Sequence, residues 1–326
     1  MSLQHFLKQY PNRRYLMFGG KGGLGKTTFS AATAYWLAKQ GHKVLVFSVD
    51  PQASLSDIFQ QDIFGKGAVE IMPNLFAQEI DADRRIKEYQ QEIRQKILDM
   101  YGLEKVPEEI ENYIQAAAAE PAMEESAIFD AVVDIVIGGD YDYYIYDLVP
   151  LGHALYYLSM ASVYDQWIDK ITALRAEMAE YAQVASVMQR DKETEEDQIL
   201  RELQYIKQRI NTSSGILTDK ERTAFFFVLV PEEMIIVDTQ KAAGLFARYN
   251  VPLSGYVVNR VIPAELAQQD IPDYLRNRLA MQRGYLERID QLFGQEVLAR
   301  VNEFERDITG LPMIEKVAAA LFGGEE

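Results

Sequence analysis

Residues able to do chemistry are concentrated in one octapeptide, Gly20-Lys21-Gly22-Gly23-Leu24-Gly25-Lys26-Thr27, which fits G-x-x-x-x-G-K-[ST]. Glycines at that spacing let a loop turn tightly and aim successive backbone N–H groups at phosphate oxygens. The polar residues complete the task. Lys26 is placed to reach the β- and γ-phosphates, and the Thr27 hydroxyl to bind Mg²⁺. Gly20, Gly22, Gly23, Leu24, Gly25 and Thr28 form the rest of the cradle. The implied ligand is a nucleoside triphosphate with its magnesium ion.

Such a loop works only between a strand and a helix, because the helix N-terminus adds the positive end of its dipole to the site. The flanking residues provide that setting. Residues 14–18 are a short β-prone run, residues 27–40 carry Ala, Leu and Trp at positions that suit a helix, and Gly41 is a C-terminal stop. Residues 43–49 read as a second strand, so the unit is βαβ with parallel strands. Further strands are expected at 75–78, 143–146, 224–229 and 255–258, several apolar on both faces as in a buried parallel sheet. The fold class that follows is α/β: a P-loop NTPase with a mostly parallel central sheet flanked by helices.

Two long helical inserts interrupt this pattern, at about 83–137 and about 158–208. The first has heptad-like apolar spacing around Ile93, Ile97 and Met100, then alanines at 116–119 and Pro121. The second carries a charged block over 190–197 that reads as a solvated helix face or a mobile loop. The glycine cluster occurs once, giving one nucleotide-binding half and not two fused ones.

Composition removes several function classes. The 326 residues are 48% hydrophobic, enough for a sizeable core. Acidic side chains number 49 against 33 basic, and the net charge of −16 repels nucleic acid and anionic lipid where no basic patch is concentrated. No nucleic-acid partner is expected. The absence of cysteine removes disulfides, thiolate zinc sites, iron–sulfur clusters and thiol nucleophiles together. His5, His42 and His153 are too scattered to replace a zinc site. The apolar stretch 127–139 contains Asp130 and Asp134, too polar and short to span a bilayer, and residues 1–14 lack a signal core. A cytoplasmic protein is expected.

The second lysine in the loop, Lys21 in Gly19-Gly20-Lys21-Gly22-Gly23-Leu24-Gly25-Lys26-Thr27-Thr28, resembles the deviant Walker A loop of dimeric nucleotide-switch ATPases. That resemblance implies a face-to-face homodimer with nucleotide at the interface. Lys21 would then cross to the partner's nucleotide and stabilise charge in the transition state. Further stretches are similar in order and spacing to one family, the arsenical pump-driving ATPases and the ATPases that deliver tail-anchored membrane proteins. Asp50-Pro51-Gln52-Ala53-Ser54-Leu55-Ser56-Asp57 resembles its first switch, and residues 147–155, beginning Asp147-Leu148 and containing His153, resemble its second. Arg222-Thr223 with Val230-Pro231-Glu232-Glu233-Met234 matches a strand and loop of the family, and Val257-Val258-Asn259 with Pro263 matches another; Asn74 to Asp81 also matches.

The resemblance implies roles residue by residue. Asp50 orients the attacking water and helps to place the metal, with Asp57 the weaker candidate; Asp147 holds Mg²⁺ through water alongside Thr27; Asn259 reads the adenine edge. It implies ATP hydrolysis by a single domain over 14–326, with the two inserts forming a helical subdomain. Leu148 and Leu151 stand where the family's second switch carries threonines, and Tyr156 where it carries arginine, which implies slow hydrolysis or a differently driven switch. Without cysteine, neither a zinc staple between protomers nor thiolate binding of metalloid is open to this chain. Met100, Met123, Met160, Met178 and Met188 on the inserts suit either an apolar cargo groove, for a hydrophobic protein segment or a membrane-protein partner, or a helix-bundle core. The rival classes are a partition or positioning ATPase, which needs a basic surface or terminal helix that this sequence lacks, and a metabolic ligase using the same loop.

Overall fold

The computed structural model describes residues 2–50, 52–118, 121–148, 169–170, 204–205, 207–209, 211–248 and 251–323. Eight strands among them form one sheet: β1 (Tyr15–Gly19), β2 (Val44–Ser48), β3 (Val69–Met72), β4 (Leu75–Glu79), β5 (Tyr143–Asp147), β6 (Thr223–Leu229), β7 (Leu253–Val261) and β8 (Val297–Asn302). Their order is β3-β4-β2-β5-β1-β6-β7-β8. All neighbours pair in parallel except β3 with β4.

Every residue of β1, β2, β5 and β6 is buried, because helices cover both faces and each strand is apolar on both sides. Six of the strands lie where the sequence predicts them. The two it misses, β3 and β8, are the edges, where one side of the strand meets solvent and polar residues such as Glu70 and Arg300 interrupt the apolar run.

The described helices are α1 (Leu3–Gln9), α2 (Lys26–Lys39), α3 (Ser54–Phe59), α4 (Ala82–Tyr101), α5 (Glu108–Ala118), α6 (Pro121–Gly138), α7 (Glu233–Arg248), α8 (Asp273–Phe293) and α9 (Gly310–Phe322). Residues 211–218 are also helical. α2 is buried along most of its length, and Ala31, Ala32, Ala34 and Ala38 keep it slim enough to lie between the sheet and α9. Trp36 stacks on Phe322 of α9 at 4.3 Å between ring centroids. α1 precedes residue 14 and packs into the same core, with Phe6 edge-on to Phe226 at 5.4 Å.

Three helices, α4 to α6, occupy the region of the first insert. Asp81 caps α4 by accepting from the Arg84 N–H at 3.0 Å, and Gly102 ends it in the left-handed conformation at φ 59°. Arg94 grips Glu111 of α5 through two nitrogens at 2.6–3.1 Å, and Arg85 reaches Asp134 of α6 at 3.2 Å. Most of the second insert, including Met160, Met178 and Met188, lies outside the described residues, as do the side chains of Met100 and Met123. Among the described residues no helix is long and apolar enough to cross a membrane.

Candidate functional site

β1 sits between β5 and β6, and the chain leaves it for β2 on one side before filling β6 to β8 on the other. A crevice opens at the carboxyl end of such a strand, where connections diverge. The glycine loop occupies that end. Register brings the other expected groups to the same level: Phe18 of β1 and Ser48 of β2 both lie opposite Asp147 at the end of β5. Asp50 follows β2 by two residues, so loop, Asp50 and Asp147 share one edge of the sheet.

The loop conformation accounts for its glycines. Gly20 has φ 149°, and a Cβ there would meet the Val228 carbonyl at 2.5 Å. Gly25 has φ 99° and is the N-cap of α2; a Cβ there would lie 2.5 Å from Asn259 Nδ2. Because Gly25 offers no side-chain cap, the first-turn N–H groups of α2 are left to whatever binds in the loop. Gly22 and Gly23 face open space.

Polar side chains hold the loop through its carbonyls. Lys26 Nζ donates to the Lys21 carbonyl at 3.3 Å, Asn259 Nδ2 to the Leu24 carbonyl at 2.8 Å, and Arg260 Nη2 to the Gly23 carbonyl at 2.8 Å. Arg260 adopts φ 52°, a costly conformation for a side-chain-bearing residue, directly after Asn259 on β7. Lys21 Nζ turns away from the loop to Asp238 Oδ2 of α7 at 3.1 Å. Burial lowers the Lys26 pKa, opposed by the charges of Asp147 and Asp50.

Asp147 is the most perturbed carboxyl here. Burial pushes its pKa up to about 7, opposed by hydrogen bonds from Thr27 and Ser30 and by Lys26, and reinforced by the charge of Asp50. Thr27 Oγ1 donates to Asp147 Oδ2 at 2.6 Å, and Ser30 Oγ lies 3.5 Å from Oδ1. A hydroxyl and a carboxyl side by side are hard oxygen donors, and a divalent cation would restore the charged form that burial disfavours. The donors fit Mg²⁺ bound mainly through phosphate and water. Among the described residues no group of three or more His, Cys, Asp or Glu gathers to hold a metal unaided.

In the first switch, Asp50 Oδ1 accepts from the Gln52 N–H at 2.9 Å, while its own N–H donates to Ser48 Oγ at 3.1 Å. Asp57 is exposed in the first turn of α3 and, unlike Asp50, is not among the charges acting on Asp147. α3 is bracketed by left-handed Ala53 (φ 51°) and Gln60 (φ 55°). Buried Glu79 at the end of β4 holds it, accepting from the Leu55 N–H and the Ser56 hydroxyl, both at 2.5 Å. In the stretch that resembles the second switch, buried Leu148 donates its N–H to the Phe18 carbonyl at 3.2 Å. Residues 149–155, including His153 and Leu151, lie outside the described residues, as does Tyr156.

The remaining matched stretches have structural contacts. Thr223 Oγ1 donates to the Ile216 carbonyl at 2.7 Å, and the Arg222 guanidinium lies over the Tyr15 ring. Glu233 pairs with Arg288 of α8. The structure therefore brings together Gly20 to Thr27, Asp147 and Asn259, and sets Asp50 close enough to act on Lys26 and Asp147 by its charge. Sequence reasoning gave no role to Ser30, Glu79, Asp238 or Arg260, although Glu79 and Arg260 lie inside matched stretches. Ser30 alone carried a local signal, one helical turn after Thr27 and on the same face.

Comparison with known proteins agrees with this geometry. The family profile described as anion-transporting ATPase matches residues 13–323. A protein of Aquifex aeolicus (strain VF5) named putative arsenical pump-driving ATPase 1 is 31% identical over 317 residues, 96% of this chain and 79% of that one. Another from the same organism, putative arsenical pump-driving ATPase 2, is 30% identical over 282 residues, 86% of this chain and 89% of that one. The Arabidopsis thaliana protein named ATPase GET3C is 27% identical over 318 residues, 93% of this chain and 81% of that one. With a phosphate loop, a buried carboxyl and a conjoined Thr27 hydroxyl at the carboxyl ends of central parallel strands, this chain belongs to the anion-transporting ATPase family and is an ATP-hydrolysing enzyme.

Proposed function

We propose that this protein is a magnesium-dependent ATPase that works as a homodimer, its nucleotide state opening and closing an apolar surface on the helical inserts. The single observation that carries the reading is the junction of Thr27 and Asp147 at 2.6 Å beneath the glycine loop and Lys26. The loop N–H groups and the α2 N-terminus bind the phosphates of ATP, and Lys26 exchanges the Lys21 carbonyl for phosphate oxygens. Thr27 and, through water, Asp147 with help from Asp50 would hold Mg²⁺, which would supply positive charge against the phosphates. Asp50 orients the attacking water, and Asn259 lies against the adenine edge. Lys21 of each protomer reaches into the other's site and stabilises charge there as the terminal phosphoryl group departs.

The cargo is a hydrophobic protein segment, such as the tail of a membrane protein. The loop pattern with Lys21 and the switch-like stretches beginning at Asp50 and Asp147 support this reading, together with the similarity to proteins named putative arsenical pump-driving ATPase 1 and ATPase GET3C. Metalloid binding through soft ligands has no support, since cysteine is absent. The test is ATP hydrolysis against protein concentration. Specific activity should rise as dimer forms, and Lys21→Ala should remove turnover while nucleotide binding persists. Turnover that is independent of concentration, or retained without Lys21, would refute the dimer mechanism.

A further inference from the structure

We propose that Asp238 is a positioning residue that holds Lys21 within its own protomer, so that release of this ion pair sets the protein concentration at which the ATPase switches on. The inference rests on the reading that Lys21 acts in the partner's site, and adds the group it must leave to get there. Lys21 Nζ lies 3.1 Å from Asp238 Oδ2, bridging the phosphate loop and α7. The other loop-holding side chains, Lys26, Asn259 and Arg260, bind backbone carbonyls of the loop, whereas Lys21 is the loop's own cation pinned to a carboxylate outside it.

The two ends of the pair differ in freedom. Asp238 rides on α7, which is fixed against the sheet by buried Ile235, Ile236, Thr239, Ala242 and Phe246. Lys21 sits among glycines, with open space beside Gly22 and Gly23. The lysine is therefore the end that moves.

Exposure makes the contact breakable. The two side chains are 54% and 41% exposed, so water can replace each partner and salt screens the attraction. An exposed pair of this kind biases a local equilibrium by about twofold. A symmetric dimer must open one pair in each protomer, so the bias enters the dimerisation constant squared, giving roughly fourfold. One ammonium cannot lie on Asp238 and on a neighbour's phosphates together. The pair thus lowers the population of protomers ready to dimerise without blocking nucleotide entry.

Asp238→Asn keeps the shape and removes the charge at a partly exposed position, so the fold should survive. ATPase activity measured against protein concentration should reach half-maximum at about one-quarter the wild-type concentration, with the same maximal rate. Asp238→Glu, which keeps a carboxylate, should restore much of the wild-type midpoint. The difference between Asp238→Asn and wild type should vanish near roughly 1 M NaCl, where screening removes the pair. An unchanged midpoint alongside concentration-dependent wild-type activity would overturn the role of Asp238 and leave the dimer reading standing. A reduced maximal rate would also overturn it, by assigning Asp238 work inside the dimer. Wild-type activity independent of concentration would remove both the dimer and the latch.

Discussion

Asp147→Asn should make the protein more stable, and by an amount that depends on pH. The carboxyl is pushed from its ordinary 3.8 to about 7 by burial. A raised carboxyl pKa means that the fold favours the protonated form. The cost of keeping the ionised form is therefore absent below the unfolded pKa, grows through the window from 3.8 to about 7, and is complete above it. Each pH unit inside that window is worth about 1.4 kcal/mol. Asparagine mimics the uncharged acid: its carbonyl can still accept from Thr27, and its amide can turn to the Ser30 hydroxyl. Between about pH 5.5 and about pH 8 the stability advantage of the variant should grow by about 2 kcal/mol. For a chain of this length that is a relative rise in Tm of about 3 °C. The assay is thermal and urea unfolding of both proteins at the two pH values with a chelator present. All other titrating groups cancel in the difference. Adding ATP with magnesium should reverse the order, since only wild type offers an ionisable carboxyl to the cation. A gap between the proteins that does not change with pH would refute the account of Asp147.

Three further substitutions probe the supports of the site. Gly25→Ala places a Cβ 2.5 Å from Asn259 Nδ2 at φ 99°, so the Asn259 bond to the loop must break; a loss of about 2 kcal/mol in urea unfolding and of ATP binding by calorimetry are expected. Glu79→Ala leaves the Leu55 N–H and Ser56 hydroxyl without their acceptor and should cost about 3 kcal/mol in the same unfolding assay, while Glu79→Gln, with one oxygen left, should cost less. Phe322→Ala removes the ring stacked on Trp36 behind α2 and should cost about 3 kcal/mol, with nucleotide affinity little changed because Trp36 lies toward the end of α2 remote from the loop.

Legibility in the sequence follows the range of the interactions. The phosphate loop is contiguous, and its glycine spacing is itself the signal, so its position between β1 and α2 could be read directly, although the contacts that demand Gly20 and Gly25, with the Val228 carbonyl and Asn259, come from far along the chain. The buried strands were equally plain, because a parallel strand covered on both faces is a run of apolar residues such as Ala224 to Leu229. β3 and β8 were not, since edge strands mix polar and apolar residues. The side chains that fix the loop from outside were invisible for another reason. Asp238 meets Lys21 across 217 positions and Arg260 meets Gly23 across 237, and no spacing rule connects residues joined only by the order of strands in a sheet. Glu79 lay in a stretch that the sequence reading singled out, but a strand-end carboxylate resembles any solvated charge until α3 is seen to fold over it.

The charges around the loop bear on both the proposed metal and the proposed release of Lys21 from Asp238. Lys21, Lys26 and Arg260 contribute positive charge, and Asp50, Asp147 and Asp238 face them, so the neighbourhood is close to balanced before any ligand enters. A nucleoside triphosphate brings several negative charges into this balance, within a protein whose net charge is already −16. Added positive charge, or existing cations freed from their carboxylates, would offset this. In the proposed mechanism magnesium held by Thr27 and Asp147 would supply the first as ATP binds, and transfer of Lys21 from Asp238 to a facing protomer's phosphates would supply the second only at assembly. Charge balance at the loop would thus tie turnover to the dimer while leaving nucleotide binding to each protomer.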